Sequence, residues 1–177
     1  GELVWDVSNE GRGLVTVDTP RSKMVIGFAG EKRVTLGGVG FEPGPTLQEG
    51  FCVLAVTVME GHDLTDARRL LITALGTQRN RGAELRRYRG EKLPFPPPAG
   101  VQVTLGVDFG SVPSQVEGVP ARIRLPFPPD RLSVWALDAT GTRTRPLAVT
   151  REKATPDSAA IDIGPVYRAL WYEVVIE

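Results

Sequence analysis

The chain has 177 residues, of which 41% are hydrophobic, so it is long enough to bury a sizeable core and is not expected to be disordered as a whole. Lysine plus arginine and aspartate plus glutamate each number 21, and this balance gives no reason to expect nucleic acid or a membrane surface as a partner. No apolar run reaches the length that spans a membrane.

Short stretches of alternating residues follow one another between frequent turn residues, with 20 glycines and 15 prolines in all. The clearest are residues 14–17, 23–28, 101–109, 122–125 and 170–177. A period of two is typical of strands with one buried face. Many short strands with Gly/Pro turns indicate a sandwich. The predicted fold class is therefore all-β, an antiparallel β-sandwich or jelly roll.

Residues 65–75 fit two structures. Apolar residues recur there at helical spacing, at Ala67, Leu70, Leu71, Ala74 and Leu75. Asp63 or Thr65 would cap such a helix. From the pattern alone, helix and strand both stay open.

Two proline clusters, residues 94–98 and 126–129, predict extended loops, because proline has no N–H group to donate to a sheet. The first cluster is either a long loop, residues 93–100, or a linker between two domains. We predict the loop, and with it a single sandwich domain over residues 1–177. Farther along, Asp138 and Gly141 predict a hairpin turn between strands 132–137 and 142–149, with positive φ at Gly141.

No catalytic constellation is recognisable. Cys52 lies in an apolar strand-like run and His62 in a predicted turn, and a zinc site normally draws several ligands from these residue types. A glycoside hydrolase needs two facing carboxyl groups. The candidate acids are Glu49, Glu60, Asp63, Asp66, Asp108 and Glu117. Because 21 acids supply pairs by chance, we do not predict an enzyme.

Four sequence segments spread along the chain resemble a known family. They are residues 5–28 (WDVSNEGRGLVTVDTPRSKMVIGF), 55–82 (AVTVMEGHDLTDARRLLITALGTQRNRG), 134–149 (VWALDATGTRTRPLAV) and 170–177 (LWYEVVIE). Together they resemble the C-terminal accessory β-sandwich of large secreted bacterial glycoside hydrolases, which is similar to a carbohydrate-binding module. The resemblance favours a strand over residues 69–75. It implies secretion, a polysaccharide or oligosaccharide ligand, and the catalytic domain of the same parent chain as a partner.

Aromatic residues are the first candidates for a sugar site, because sugar rings stack their C–H patches on flat aromatic faces. A sandwich also needs aromatics for its core, which is the favoured place for each tryptophan taken singly. On the predicted last strand, Trp171 shares a side with Glu173, a hydroxyl acceptor, opposite Leu170 and Tyr172. Trp171 with Glu173 is therefore the first predicted binding site.

The basic stretch of residues 79–89 is the second candidate. Tyr88 stands between Arg87 and Arg89, and arginine beside an aromatic ring suits an acidic sugar or phosphate. The alternative is a solvated loop. In the resembling domains this region reads Glu-Asn-Thr-Gly-Met. Here Asn80 and Gly82 keep that pattern, and Arg79 and Arg81 depart from it.

Calcium is the one metal that the sequence suggests, as a structural ion between loops. The aspartates near predicted turns are Asp18, Asp138, Asp157 and Asp162. No other cofactor is expected.

The predicted function is that of a non-catalytic accessory domain that binds polysaccharide through exposed aromatics. A scaffold domain that packs on a catalytic domain without binding sugar is the first alternative. A glycoside hydrolase in its own right is the second.

Overall fold

The computed structural model describes residues 1–8, 12–30, 32–87, 90–94, 97–98, 100–152, 155 and 157–177. The described residues contain eighteen strands and two short 3-10 turns, Pro129–Arg131 and Pro165–Tyr167, and no α-helix. In chain order the strands are β1 (Leu3–Asp6), β2 (Leu14–Asp18), β3 (Ser22–Phe28), β4 (Val34–Leu36), β5 (Val39–Pro43), β6 (Phe51–Glu60), β7 (Arg69–Leu75), β8 (Gln78–Arg81), β9 (Leu85–Arg87), β10 (Lys92–Leu93), β11 (Val103–Thr104), β12 (Ser111–Val116), β13 (Ala121–Leu125), β14 (Leu132–Leu137), β15 (Arg143–Leu147), β16 (Val149–Arg151), β17 (Ala159–Ile163) and β18 (Trp171–Ile176).

The chain divides into two compact units. The larger unit combines Gly1–Gly76 with Gly118–Glu177, and the smaller is Thr77–Glu117. The prediction of one domain over residues 1–177 stays a prediction. The expected loop at 93–100 falls partly outside the described residues, and Leu93 ends β10.

Two antiparallel sheets make up the larger unit. One has eight strands in the order β1-β2-β3-β6-β7-β18-β14-β15, and the other has five in the order β16-β17-β13-β5-β4. A single apolar core draws side chains from both sheets, including Val25, Ile72 and Tyr172 from the first and Phe41 and Ile123 from the second. The fold is an all-β antiparallel sandwich, as the sequence predicts.

Strand alternation accounts for how each sheet meets the core. In β18, Tyr172, Val174 and Ile176 are buried, while the residues between them are half-buried on the outer face. This strand pairs with β7 on one side and β14 on the other, so the last strand lies inside a sheet.

The ambiguous segment is a strand. β7 spans Arg69–Leu75 and pairs with β6 and β18, which confirms the strand that the resemblance favours over the helix that the spacing allows. The apolar residues Leu70, Ile72 and Ala74 are buried at period two. The pattern of this segment fits both a helix and a strand. Pairing with β6 on one side and with β18 on the other makes it a strand.

The predicted hairpin turn is also present. The Gly141 N–H donates to Asp138 O and the Asp138 N–H to Thr142 O, both at 3.0 Å. Gly141 has φ of +82°, as predicted. The turn joins β14 to β15, and β15 ends at Leu147 because Val149–Arg151 pairs in the other sheet.

The smaller unit holds the sheets β10-β9-β11 and β12-β8. The alternation of residues 101–109 predicts a long strand, and this prediction is wrong: only Val103–Thr104 form one. Gly106 has φ of +55° and the Asp108 N–H donates to Leu105 O, so the chain turns where the alternation continues. The predicted loop at residues 126–129 is found, and it ends as Pro129 begins a 3-10 turn.

Candidate functional site

All three tryptophans lie on the outer face of the eight-stranded sheet. Trp5 pairs with Val15, which pairs with Ile26, and Ile26 is on the half-buried side of β3. Trp171 is on the half-buried side of β18. Trp135 lies between the buried Val134 and Ala136 on β14. The expectation that each tryptophan packs in the core is therefore wrong, and the largest fully buried side chains are instead Tyr172 and Phe41.

Trp135, Arg143, Trp171 and Glu173 form a cluster on this face, which we call the tryptophan patch. Trp135 stands directly opposite Glu173 across the β14–β18 pair, and Leu137 stands opposite Trp171. The two tryptophans are therefore diagonal neighbours, about 7–8 Å apart at Cα by strand geometry. Two indoles and a charged pair thus occupy adjacent positions on adjacent strands.

Glu173 is fixed by two arginines. Arg143 Nε donates to its Oε2 at 2.5 Å, and Arg69 Nη1 lies 3.7 Å from its Oε1. Its side chain is 15% exposed, whereas both arginine side chains are nearly half exposed. Sequence analysis places Glu173 beside Trp171 as an acceptor, and the structure puts both on the outer face. There the carboxylate already accepts from Arg143.

Arg143 also covers one indole. Its guanidinium carbon lies 5.7 Å from the centre of the Trp135 ring, within the range of a cation–π contact. One face of Trp135 is therefore occupied. Among the described residues no arginine or lysine stacks on Trp171, so we take its ring as the first candidate for a ligand.

Apolar side chains continue across the outer face beyond the patch. They are half-buried and come from four strands: Met24, Ile26, Val53, Leu71 and Val175. An antiparallel sheet commonly solvates its second face with polar residues. This outer face is unusually apolar by that standard.

The second predicted site lies mostly outside the described residues, since these include neither Tyr88 nor Arg89. Arg87 ends β9, and its Nε lies 3.4 Å from Glu91 Oε1. Its main chain also bonds to Glu91, whose carbonyl accepts from the Arg87 N–H at 2.8 Å. Arg87 is thus held to Glu91 through both its side chain and its main chain.

Three of the four aspartates proposed for calcium have protein partners, and the fourth, Asp157, is exposed. Asp18 accepts from Lys23 Nζ, Asp138 from Thr140 and Thr142, and Asp162 from Arg122. Within the described ranges, no group of three or more His, Cys, Asp or Glu side chains could hold a metal ion. Calcium stays a prediction without a site.

The six acids considered for catalysis form local contacts. Glu49 pairs with Arg12, Glu60 with Arg69, Asp108 with Arg86, and Glu117 accepts from Thr77. Asp63 accepts from Thr65. Asp66 accepts from the Asp63 N–H, from His62 Nδ1 and from the His62 N–H, and these hydrogen bonds lower the pKa of Asp66 to about 2. Each of these six carboxyl groups therefore has a partner within the protein.

Cys52 is fully buried on β6, and His62 lies in an exposed turn after that strand, as the sequence predicts for each.

Sequence analysis missed Arg143 and did not single out Trp135. The alternation of β14 is enough to place Trp135 on the side away from the core, but its pairing with Glu173 follows only from the strand register.

In the part of the chain described, no helix has the length and apolar character to cross a membrane. Comparison with protein-family models, with curated proteins and with solved structures finds no match for this chain.

Proposed function

We propose that the chain is a non-catalytic accessory β-sandwich of a secreted bacterial carbohydrate-active enzyme, and that it binds polysaccharide on the outer face of its eight-stranded sheet. The observation that carries this proposal is the pair Trp135 and Trp171, which occupy diagonal positions on adjacent strands of that face. The core could have used these large apolar side chains, and their outward placement favours a ligand with apolar patches.

The tryptophan patch supplies both elements that a sugar needs. The Trp171 ring presents an apolar face for stacking, and Arg143 supplies N–H donors for hydroxyl groups. A sheet face is shallow, so each sugar ring binds to it weakly. Such a face suits a polysaccharide, because several successive sugar rings contact it at once. Trp171 is the central residue of the proposed site.

Retention in gels that contain a broad panel of polysaccharides tests the proposal. We expect wild type to be retarded by at least one polysaccharide and Trp171→Ala to lose most of that retardation, with Trp135→Ala intermediate. Trp5→Ala is the matched control, because Trp5 is on the same face but about 24 Å away at the usual strand spacing. Equal losses in Trp5→Ala and Trp171→Ala would contradict the position of the site.

Acidic polysaccharides belong in the panel because of the second predicted site. Loss of retardation in Tyr88→Ala but not in Trp171→Ala would move the site to Arg87, Tyr88 and Arg89. If neither variant loses binding, then the choice of residues is wrong although the function stands.

The scaffold function is the second candidate, and a specific observation favours it. The outer face is apolar well beyond the tryptophan patch, at Met24, Ile26, Val53, Leu71 and Val175. Such a face suits burial against another protein domain, for which the catalytic domain of the parent chain is the proposed partner. If wild type is retarded by no polysaccharide, the scaffold function replaces polysaccharide binding as the proposal.

A further inference from the structure

A cleft of about 570 Å³ lies in the sandwich unit, away from the tryptophan patch. It is lined by Pro20 before β3, by Gly37 between β4 and β5, by Asp63, Leu64 and Thr65 before β7, and by the connection from β13 to β14. The Leu64 N–H donates to Pro20 O at 3.2 Å and fastens two of these segments together. The volume of the cleft is in the range of binding sites for small ligands.

A buried ammonium group forms part of the cleft wall. Lys23 is the only charged residue among the described ones that is buried, with 7% exposed. Its Nζ donates to Asp18 Oδ1 at 2.6 Å and to Thr19 O at 2.5 Å. An ammonium group has three donors, so one remains beyond these two bonds.

Gly37 lies directly against that ammonium group. A Cβ at this position would overlap Lys23 Nζ and Cε and would lie 2.8 Å from Asp18 Oδ1. Gly37 also has φ of +48°, in the left-handed region that favours glycine. Glycine at this position therefore makes room for the Lys23 head group in the wall of the cleft.

Asp63 adds an acceptor to the cleft. Its Oδ1 accepts from the Thr65 N–H at 2.7 Å and from Thr65 Oγ1 at 2.6 Å. The Asp66 N–H is a weaker, additional donor to this carboxylate, and within the described part of the chain no side chain donates to its Oδ2. A fixed carboxylate with one occupied oxygen leaves the other for a ligand hydroxyl.

The remaining lining sets the character of the ligand. Pro20, Leu64, Pro126, Phe127 and Pro128 give apolar walls. The charges cancel, since Lys23 is paired with Asp18 and the cleft holds both Asp63 and Arg131. Donors, acceptors and apolar walls without net charge match a neutral ring that carries C–H faces and hydroxyl groups, because each hydroxyl both donates and accepts.

We propose that this cleft binds a neutral sugar, one or two rings at the end of an oligosaccharide, with Asp63 and Lys23 as its polar contacts. This binding goes beyond the proposed function because it depends on the residues of the cleft and not on those of the tryptophan patch. It holds whether or not the tryptophan patch binds polysaccharide.

Saturation-transfer NMR with the full chain tests the inference. The probes are glucose, galactose, mannose, xylose and their β-1,4-linked disaccharides, with glucuronate and glucosamine as charged probes. We expect transfer to at least one neutral probe and a Kd raised at least about tenfold in Asp63→Asn, since a hydrogen bond to a charged group is lost. Gly37→Ala would overlap the Lys23 head group and displace it, so it is expected to weaken binding as well.

Two further variants locate the site. Asp130→Asn removes an exposed carboxylate next to Arg131 that does not line the cleft, and it is expected to leave the Kd within about twofold of wild type, as surface changes away from a site do. Trp171→Ala removes the centre of the tryptophan patch, so it separates the two sites and is not a neutral control. Loss of transfer in Trp171→Ala with unchanged binding in Asp63→Asn would support the patch and overturn the cleft.

The inference is also overturned if no neutral probe shows transfer, if only the charged probes bind, or if Asp63→Asn binds as wild type does. Asp63→Asn is the decisive variant, because asparagine keeps the Oδ1 that accepts from Thr65 and so preserves the turn even if Gly37→Ala fails to fold.

Discussion

The hydroxyl group of Tyr172 is hydrogen-bonded to the main chain of Gly164, which directly follows β17. The Gly164 N–H donates to Tyr172 Oη at 3.2 Å, and Gly164 O and Ala169 O lie 3.3 and 3.2 Å from the same oxygen. Tyr172 is fully buried on β18 of the eight-stranded sheet, and β17 belongs to the five-stranded sheet. One phenol therefore links the two layers of the sandwich.

Tyr172→Phe should destabilise the fold by about 1–3 kcal/mol, because it leaves a buried N–H and a buried carbonyl without their partner. Urea unfolding measures the change. Tyr167→Phe is the matched control: its ring contacts Tyr172 edge-on, its side chain is only partly buried, and no hydrogen bond of its hydroxyl is recorded in the described residues. Equal losses in both variants would argue against the Gly164 bond as the cause.

Gly141→Val should destabilise by about 1 kcal/mol or more, because valine is strained at positive φ. Gly141 has φ of +82°, and no atom lies within 4 Å of where its Cβ would stand, so the cost comes from the backbone and not from a clash. Gly141→Asn should cost less, since asparagine tolerates this region. Differential scanning calorimetry checks the order, and equal melting temperatures for wild type and Gly141→Val would contradict it.

Asp18→Ala should cost about 2 kcal/mol or more, because it leaves the buried Lys23 ammonium without its counter-charge. Lys23→Met should cost less, since it removes the buried charge and leaves Asp18, whose side chain is 37% exposed, within reach of water. Chemical denaturation of the two variants provides the comparison. The reverse order would show that Lys23 does not depend on Asp18.

Acid should weaken the fold partly through Asp66. Hydrogen bonds from the Asp63 N–H and from His62 lower the pKa of Asp66 from 3.8 to about 2. A depressed carboxylate pKa stabilises the folded state above pH 3.8, and this contribution disappears as the pH falls towards 2.

Asp66→Asn cannot be protonated, so its melting temperature should fall less than that of wild type over this range of pH. Thermal melts by circular dichroism at intervals between these two pH values measure the difference. Parallel curves for the two proteins would show that Asp66 makes no such contribution.

The sequence by itself determined the fold class, the last strand and the hairpin turn at Gly141, because period-two alternation and turn chemistry are local properties. It did not determine which face of a strand is buried. In β3, the alternation of Met24 and Ile26 with Lys23 and Val25 predicts a strand, yet the structure buries Lys23 and Val25 and turns the larger apolar pair outward. Asp18 and Thr19 make this possible by satisfying the Lys23 ammonium group.

The sequence named Trp171 and Glu173, and only the tertiary structure decided which other residues join them and where the cleft lies. Trp135 and Trp171 are far apart in sequence, and the register of β14 against β18 makes them diagonal neighbours with Glu173 between two arginines. The cleft joins residues from four separate turns. Strand pairing at long range sets both arrangements, and a residue pattern within one strand carries no information about its partner's register.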